Sequence, residues 1–147
     1  MKYQKEKVTM DLVHEIFPLL DEHEKELNVS GAPLDPLYSR YVKADRLKAL
    51  AMYTVRDEGE LVGYAIYWLQ RHPHYDLKVA YQDILFIRKD CRKGRVGIKL
   101  IKLSEKLLKK DHKCDMVLQH TKHHKSLSSL FEYLGYVEME KVYSKKL

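Results

Sequence analysis

The chain is short of the residues that build the simplest special-purpose proteins. Only two of its 147 residues are cysteine, Cys91 and Cys114, and they are not spaced as CxxC. A disulfide scaffold and a thiolate zinc ribbon are excluded, and both cysteines are expected to be reduced thiols of a cytoplasmic protein. No apolar run approaches the about 20 residues that a membrane-spanning helix needs. The opening MKYQKEKVTM has no apolar h-region, so no secretory signal is expected. Repeats, linkers and low-complexity tracts are lacking too. Two phosphate-loop signatures are also missing: GxxxxGK[ST] does not occur, and neither does GxGxxG after a first strand.

What is present is an ordinary core-forming composition, 45% hydrophobic and 33% charged, sized for one domain over residues 1–147. The net charge is +6, and it is unevenly placed. Residues 88–114 hold eleven Lys and Arg against three acids, a net of +8 that leaves −2 for the rest of the chain. Residues 1–30 are acidic, with four Lys against seven Asp and Glu. One basic block therefore awaits an anion.

Periodicity gives the elements. Residues 3–9 read as a first strand. Residues 11–27 read as a helix capped by Thr9 or Asp11, with Pro18 either kinking or breaking it. A loop over 28–37 leads to a short helix over 38–48. Two strands follow, joined by the tight turn Asp57-Glu58-Gly59-Glu60. A second turn region at 71–77 precedes a strand over 78–87, whose apolar end implies burial on both faces. Val96, Leu100, Leu103 and Leu107, widened by Ile101 and Leu108, mark the clearest amphipathic helix. A strand at 114–119, a helix at 124–134 closed by Gly135, and a last strand at 136–146 complete the order β-α-α-β-β-β-α-β-α-β. The expected fold is α/β (α+β): a mixed, mostly antiparallel sheet with helices on both faces.

The segment Asp83–Ile87 followed by Arg92-Lys93-Gly94-Arg95-Val96-Gly97 carries the chemistry. A strand that feeds a glycine-containing turn at a helix N-terminus presents free N–H groups and the positive end of the helix dipole. Arg92, Lys93 and Arg95 add charge at the same place, and a pyrophosphate is the natural guest. At the other end of the charge range, Asp21, Glu22, Glu24 and Glu26 cluster with His23. The histidines at 112, 120, 123 and 124 lack the Cys or carboxylate pattern of a zinc site, so no metal is expected.

Strand, R-x-x-G-x-G/A, amphipathic helix, strand, and a helix ending in L-G-F/Y resembles the GNAT N-acetyltransferase superfamily. The matching stretches are EGELVGYAIY (58–67), QDILFI (82–87), CRKGRVG (91–97) and LFEYLGY (130–136). With HPHYD (72–76) and YSKKL (143–147), the chain looks most like the compact members often encoded by bacteriophages. The resemblance implies acetyl-coenzyme A as cofactor. Its pyrophosphate would meet Arg92, Lys93, Gly94, Arg95, Val96 and Gly97, its pantetheine arm the backbone of Leu85, Phe86 and Ile87, and His124 and Phe131 would also border it. Arg95 stands where the family's first glycine usually stands, with Gly94 one position early, which leaves the loop geometry open. Phe131 stands where many members carry a proton-donating Tyr, and Tyr133 lies two residues on.

The implied reaction is attack of a neutral amine on the thioester. Asp83, a carboxylate in an otherwise apolar strand, is the candidate base, with a water chain as the other, and Tyr133 the nearest candidate acid. Glu22, Glu24, Tyr38 and His74 are expected to border the acceptor, a protein lysine, a polyamine or another small cationic amine. Two other readings stand beside this one. The basic helix after Gly97 would dock nucleic acid, including an aminoacyl-tRNA acceptor. Alternatively, the protein would bind coenzyme A without catalysis. No membrane partner is expected, and the sheet edges and last strand leave room for a homodimer.

Overall fold

The computed structural model describes residues 1–27 and 35–147. One five-stranded sheet, in the order β1-β2-β3-β4-β5, organises the chain. Its strands are β1 Lys2–Glu6, β2 Leu50–Asp57, β3 Glu60–Arg71, β4 Lys78–Ile87 and β5 Met116–Leu118. The first four pair antiparallel, and β5 lies parallel to β4. The helices are α1 Met10–Leu27, α2 Tyr38–Arg46, α3 Val96–His112 and α4 Ser128–Tyr133, with a 3-10 turn at Lys89–Cys91.

α1 starts where its cap residue allows. The Thr9 hydroxyl accepts from the Leu12 N–H at 3.2 Å, which satisfies one of the orphan donors of the first turn. Leu12, Val13, Ile16, Leu19 and Leu20 are buried against the sheet. Pro18 neither ends nor divides the helix, which runs unbroken to Leu27. Pro18 and His14, the residue whose carbonyl it orphans, both lie on the exposed side, where water can take that carbonyl. Of the expected 28–37 loop, residues 28–34 lie outside the described residues.

β2 and β3 close through a two-residue turn in which Glu58 (φ 50°) and Gly59 (φ 92°) are both left-handed, the geometry that matches strand twist. α1 and α2 cover one face of the sheet, over Leu50, Met52, Tyr64, Ile66 and Phe86. α3 covers the other, over Ala51, Tyr53, Val55, Tyr67 and Ala80. The buried line of α3 is Val96, Leu100, Ile101, Ser104 and Leu108. Leu103 and Leu107 are only half-buried, because the helix is turned toward the Ile101–Leu108 side of its stripe. Ser104 is tolerated there because its hydroxyl bonds back to the Leu100 carbonyl at 2.9 Å.

The C-terminal quarter departs from expectation. α4 occupies only Ser128–Tyr133, and His124 falls in the exposed turn before it, bridged by Lys122 and Lys125. Gly135 (φ 91°) closes the helix, with the Tyr136 N–H donating to the Phe131 carbonyl at 2.9 Å. The last strand does not form. Residues 137–147 are exposed, Val137 and Tyr143 by 83% and 89%. A strand needs a paired neighbour, and the adjacent edge strand β5 is three residues long.

Candidate active site at the opening beside β4

β4 has two different halves. Val79, Ala80 and Tyr81 pair with β3 on one side and with β5 on the other. From Gln82 to Ile87 the strand pairs with β3 alone, because β5 has diverged. The Gln82 side chain marks the fork, its Oε1 accepting from the His120 N–H at 2.8 Å. Leu85, Phe86 and Ile87 thus present one side of their backbone to an opening of the sheet. Part of that edge is already used: the Ile87 carbonyl accepts from Arg92 Nε at 2.8 Å.

Within the open half the register slips. Ile66 faces Ile84 and Tyr67 faces Gln82, so Asp83 is an extra residue with no partner on β3. Such a bulge re-aims a side chain. Asp83 is exposed, so it is not the desolvated strand carboxylate expected from its apolar neighbours. Instead the Tyr41 hydroxyl of α2 donates to its Oδ2 at 2.7 Å. Tyr41 packs on Trp68 at 5.3 Å, and Arg40 lies over the Trp68 ring at 5.5 Å. Tyr38, one turn back on α2, packs edge-on against Phe17 at 5.3 Å. Tyr38, Tyr41, Tyr64 and Ile84 help line a small apolar cavity under α1 and α2.

The strand ends in the basic loop. Gly94 takes the left-handed conformation (φ 75°), while Arg95 stays at φ −111°, so the displaced glycine serves the turn and the arginine is accommodated. α3 begins after Arg95 with no side-chain cap, which leaves its first N–H groups without a side-chain partner. Lys93 and Arg95 are exposed beside them, and Val96 is buried. Gly97 lies inside α3, where an added Cβ would be 3.5 Å from Ile87, an ordinary contact.

Arg92 does not stand free. It makes a two-pronged ion pair with Glu26, at 2.6 and 2.5 Å, and its guanidinium lies 5.4 Å from the Phe86 ring. Lys125, from the turn beyond β5, reaches the same Glu26 at 2.7 Å. The end of α1 is therefore tied to loops on both sides of the opening. The Arg92 hydrogen bonds hold the Glu26 carboxyl at about 2, against a smaller opposing effect of burial and with help from Lys125. His23, one turn earlier, stacks on Phe86 at 5.0 Å, and its buried Nδ1 has no hydrogen-bond partner among the described residues. Burial first, then the charge of Lys122, pushes the His23 pKa down and favours the neutral ring.

The other expected residues are dispersed. Glu22 is exposed near Arg88, Lys89 and Asp90, and Glu24 is half-buried. His74 packs against His72 and Tyr75 in the turn that precedes β4, at the end of that strand away from the basic loop. Tyr133 is 73% exposed on α4. Phe131 is buried against Tyr136, whose hydroxyl donates to Glu105 at 2.5 Å and accepts from Gln119. Among the described residues no group of three or more His, Cys, Asp or Glu is arranged to hold a metal ion. Nor is any helix among them long and apolar enough to cross a membrane. Sequence reading missed Tyr41, Trp68, Lys125 and Tyr136, and placed His23 only in the acidic cluster. Only Gln82, a polar residue inside an apolar strand, gave a signal that would have marked the fork.

Residues 13–136 match the family model described as Acetyltransferase (GNAT) family. No curated protein matches the chain. Several solved structures share its fold. A ribosomal-protein-alanine N-acetyltransferase from Brucella melitensis biovar Abortus 2308 superposes with a TM-score of 0.74 at 15% identity, over 100% of both chains. An aminoglycoside acetyltransferase from an uncultured soil metagenomic sample, in complex with sisomicin, gives 0.77 at 12% identity, over 99% of this chain and 95% of the other. A glucosamine-6-phosphate N-acetyltransferase from Arabidopsis thaliana gives 0.72 at 14% identity, over 99% of each.

Proposed function

Because the chain belongs to the acetyltransferase (GNAT) family and is an acetyltransferase, we propose that it moves the acetyl group of acetyl-coenzyme A to a primary amine by direct attack in a ternary complex. The observation that carries this reading is the coincidence of two features. The open half of β4 offers unpaired backbone, and it leads straight into a cationic loop at an uncapped helix start. These residues fit a long amide-bearing arm that ends in a pyrophosphate. The arm would lie along Leu85–Ile87, and the phosphates would meet Arg92–Gly97. Acetyl-coenzyme A supplies an acetyl group activated as a thioester.

The chain's own residues do the rest. Holding two reactants in line supplies most of the rate. Asp83, turned outward by the bulge, accepts the proton that the acceptor ammonium must lose. The thiolate takes its proton from solvent, since Phe131 has none to give. The acceptor is a cationic amine, with Glu22, Glu24 and Tyr38 as its border. The three structural neighbours are named for a ribosomal-protein alanine, an aminoglycoside and an amino sugar phosphate, three different amines in one fold.

One observation favours a second reading. Lys99, Lys102, Lys106, Lys109, Lys110 and Lys113 are all exposed on or just beyond α3. That face suits an RNA-borne acceptor, and binding to it would fall steeply with salt. The deciding experiment incubates the protein with acetyl-coenzyme A and a panel of small amines, lysine peptides and aminoacyl-tRNA. A gain of one acetyl group on an amine is expected. Stabilisation by acetyl-coenzyme A with no transfer would leave only the non-catalytic reading, and no stabilisation would sink both.

A further inference from the structure

We propose that Tyr41 is the positioning residue for the base: its hydroxyl fixes the Asp83 carboxylate in the direction that the β4 bulge gives it. The inference rests on the reading of Asp83 as the group that takes the acceptor's proton. A carboxylate on an exposed bulge has two rotatable bonds and no packing to hold it. Here one oxygen is pinned by a 2.7 Å bond from Tyr41, which fixes the plane of the group. The other oxygen, Oδ1, takes no hydrogen bond from the described residues and remains to receive a proton.

The donor itself is held. Tyr41 is half-buried, its ring against Trp68, and Arg40 lies over that indole as well. Burial first, then the hydrogen bond and charge of Asp83, raise the Tyr41 hydroxyl well above an ordinary tyrosine. It therefore stays protonated, and a donor, at every pH at which a protein amine reacts. The arrangement is one of support through another residue. Tyr41 acts through Asp83, whose carboxylate it orients. The titratable and charged groups around the pair are His23 from α1, Tyr38 and Arg40 from α2, and Tyr64 from β3.

Tyr41→Phe removes the hydroxyl and keeps the ring on Trp68. With the donor gone the carboxylate loses its fixed orientation. The expected result is a fall of about tenfold in kcat, with the KM for acetyl-coenzyme A unchanged. In an Asp83→Asn background the same change has no further effect, since there is no carboxylate left to orient. An unchanged kcat, or a defect confined to the coenzyme KM, overturns the proposal. If the wild type transfers no acetyl group to any amine, the proposed reaction fails on its own. A crystal structure of the Tyr41→Phe variant then judges Tyr41 alone: the Asp83 carboxylate leaves its wild-type orientation, or the inference falls.

Discussion

The two halves of β4 teach different lessons about how this chain spends its residues. From Lys78 to Tyr81 the strand is walled in by β3 and β5, and Val79 and Ala80 are fully buried. From Gln82 to Ile87 one neighbour is missing, one residue is extra, and charged or polar groups gather: Asp83 with Tyr41, Arg92 with Glu26, Gln82 with the turn after β5. The first half and the strands behind it carry stability. The second half carries the candidate site, and it stays open because β5 is too short to follow β4 further. Nothing covalent separates the two functions. The division is made by where backbone pairing stops, so substitutions on either side are expected to affect different measurements.

The largest effect should come from the closed side. Leu69, on β3 opposite Ala80, is buried, and Leu69→Ala should cost about 3 kcal/mol by denaturant unfolding. On the open side, Asp83→Asn should leave the unfolding midpoint within about 0.5 kcal/mol of wild type, because the residue is exposed. It should nonetheless lower kcat by about a hundredfold. Gly63→Ala tests the far end of the open half, where Gly63 faces Ile87. A Cβ there would lie 2.9 Å from both Ile87 and the Phe86 carbonyl, so it presses on the strand that forms the site. A loss of about 2 kcal/mol is expected, together with weaker coenzyme binding in a titration.

Acid should loosen both regions in one window. Burial would raise the Glu6 carboxyl, but bonds from Arg56, Thr54 and Gln4 outweigh it and hold it at about 2. Glu26 is held at about 2 by Arg92 and Lys125. Both folded values lie below the unfolded value of about 4.3, so the stability they give is full above that pH and is lost as pH falls toward 2. Melting temperature should decline over that window, and less steeply in Glu6→Gln and Glu26→Gln. The smallest effect belongs to the tail: ending the chain after Tyr136 removes only exposed residues and should change stability by no more than about 0.5 kcal/mol.

Much of this architecture could be read locally. The Thr9 cap, the Glu58-Gly59 turn, the amphipathic α3 and the glycine stop at 135 depend on neighbours in sequence, and each stands where expected. The glycine turn and exposed cations of Arg92–Gly97 were legible for the same reason. What could not be read depends on pairing between distant segments. Tyr41 and Asp83 are 42 residues apart, and Glu26 and Arg92 are 66 apart. The bulge at Asp83 is a property of β3 and β4 together, invisible in either alone. The alternating pattern of 136–146 looked like a strand, but it has no partner in the fold. Nor does the acidic end of α1 reveal in sequence that Glu26 pairs with the cations of the basic loop and of the turn after β5.

The most direct test of the account is hydrogen exchange with and without acetyl-coenzyme A. The backbone amides of residues 82–87, and those from Arg92 to Ile98, should gain protection on adding the cofactor, while Val79–Tyr81 should stay as they are. Protection that appears elsewhere and spares the open half of β4, or no protection at saturating cofactor, would contradict it.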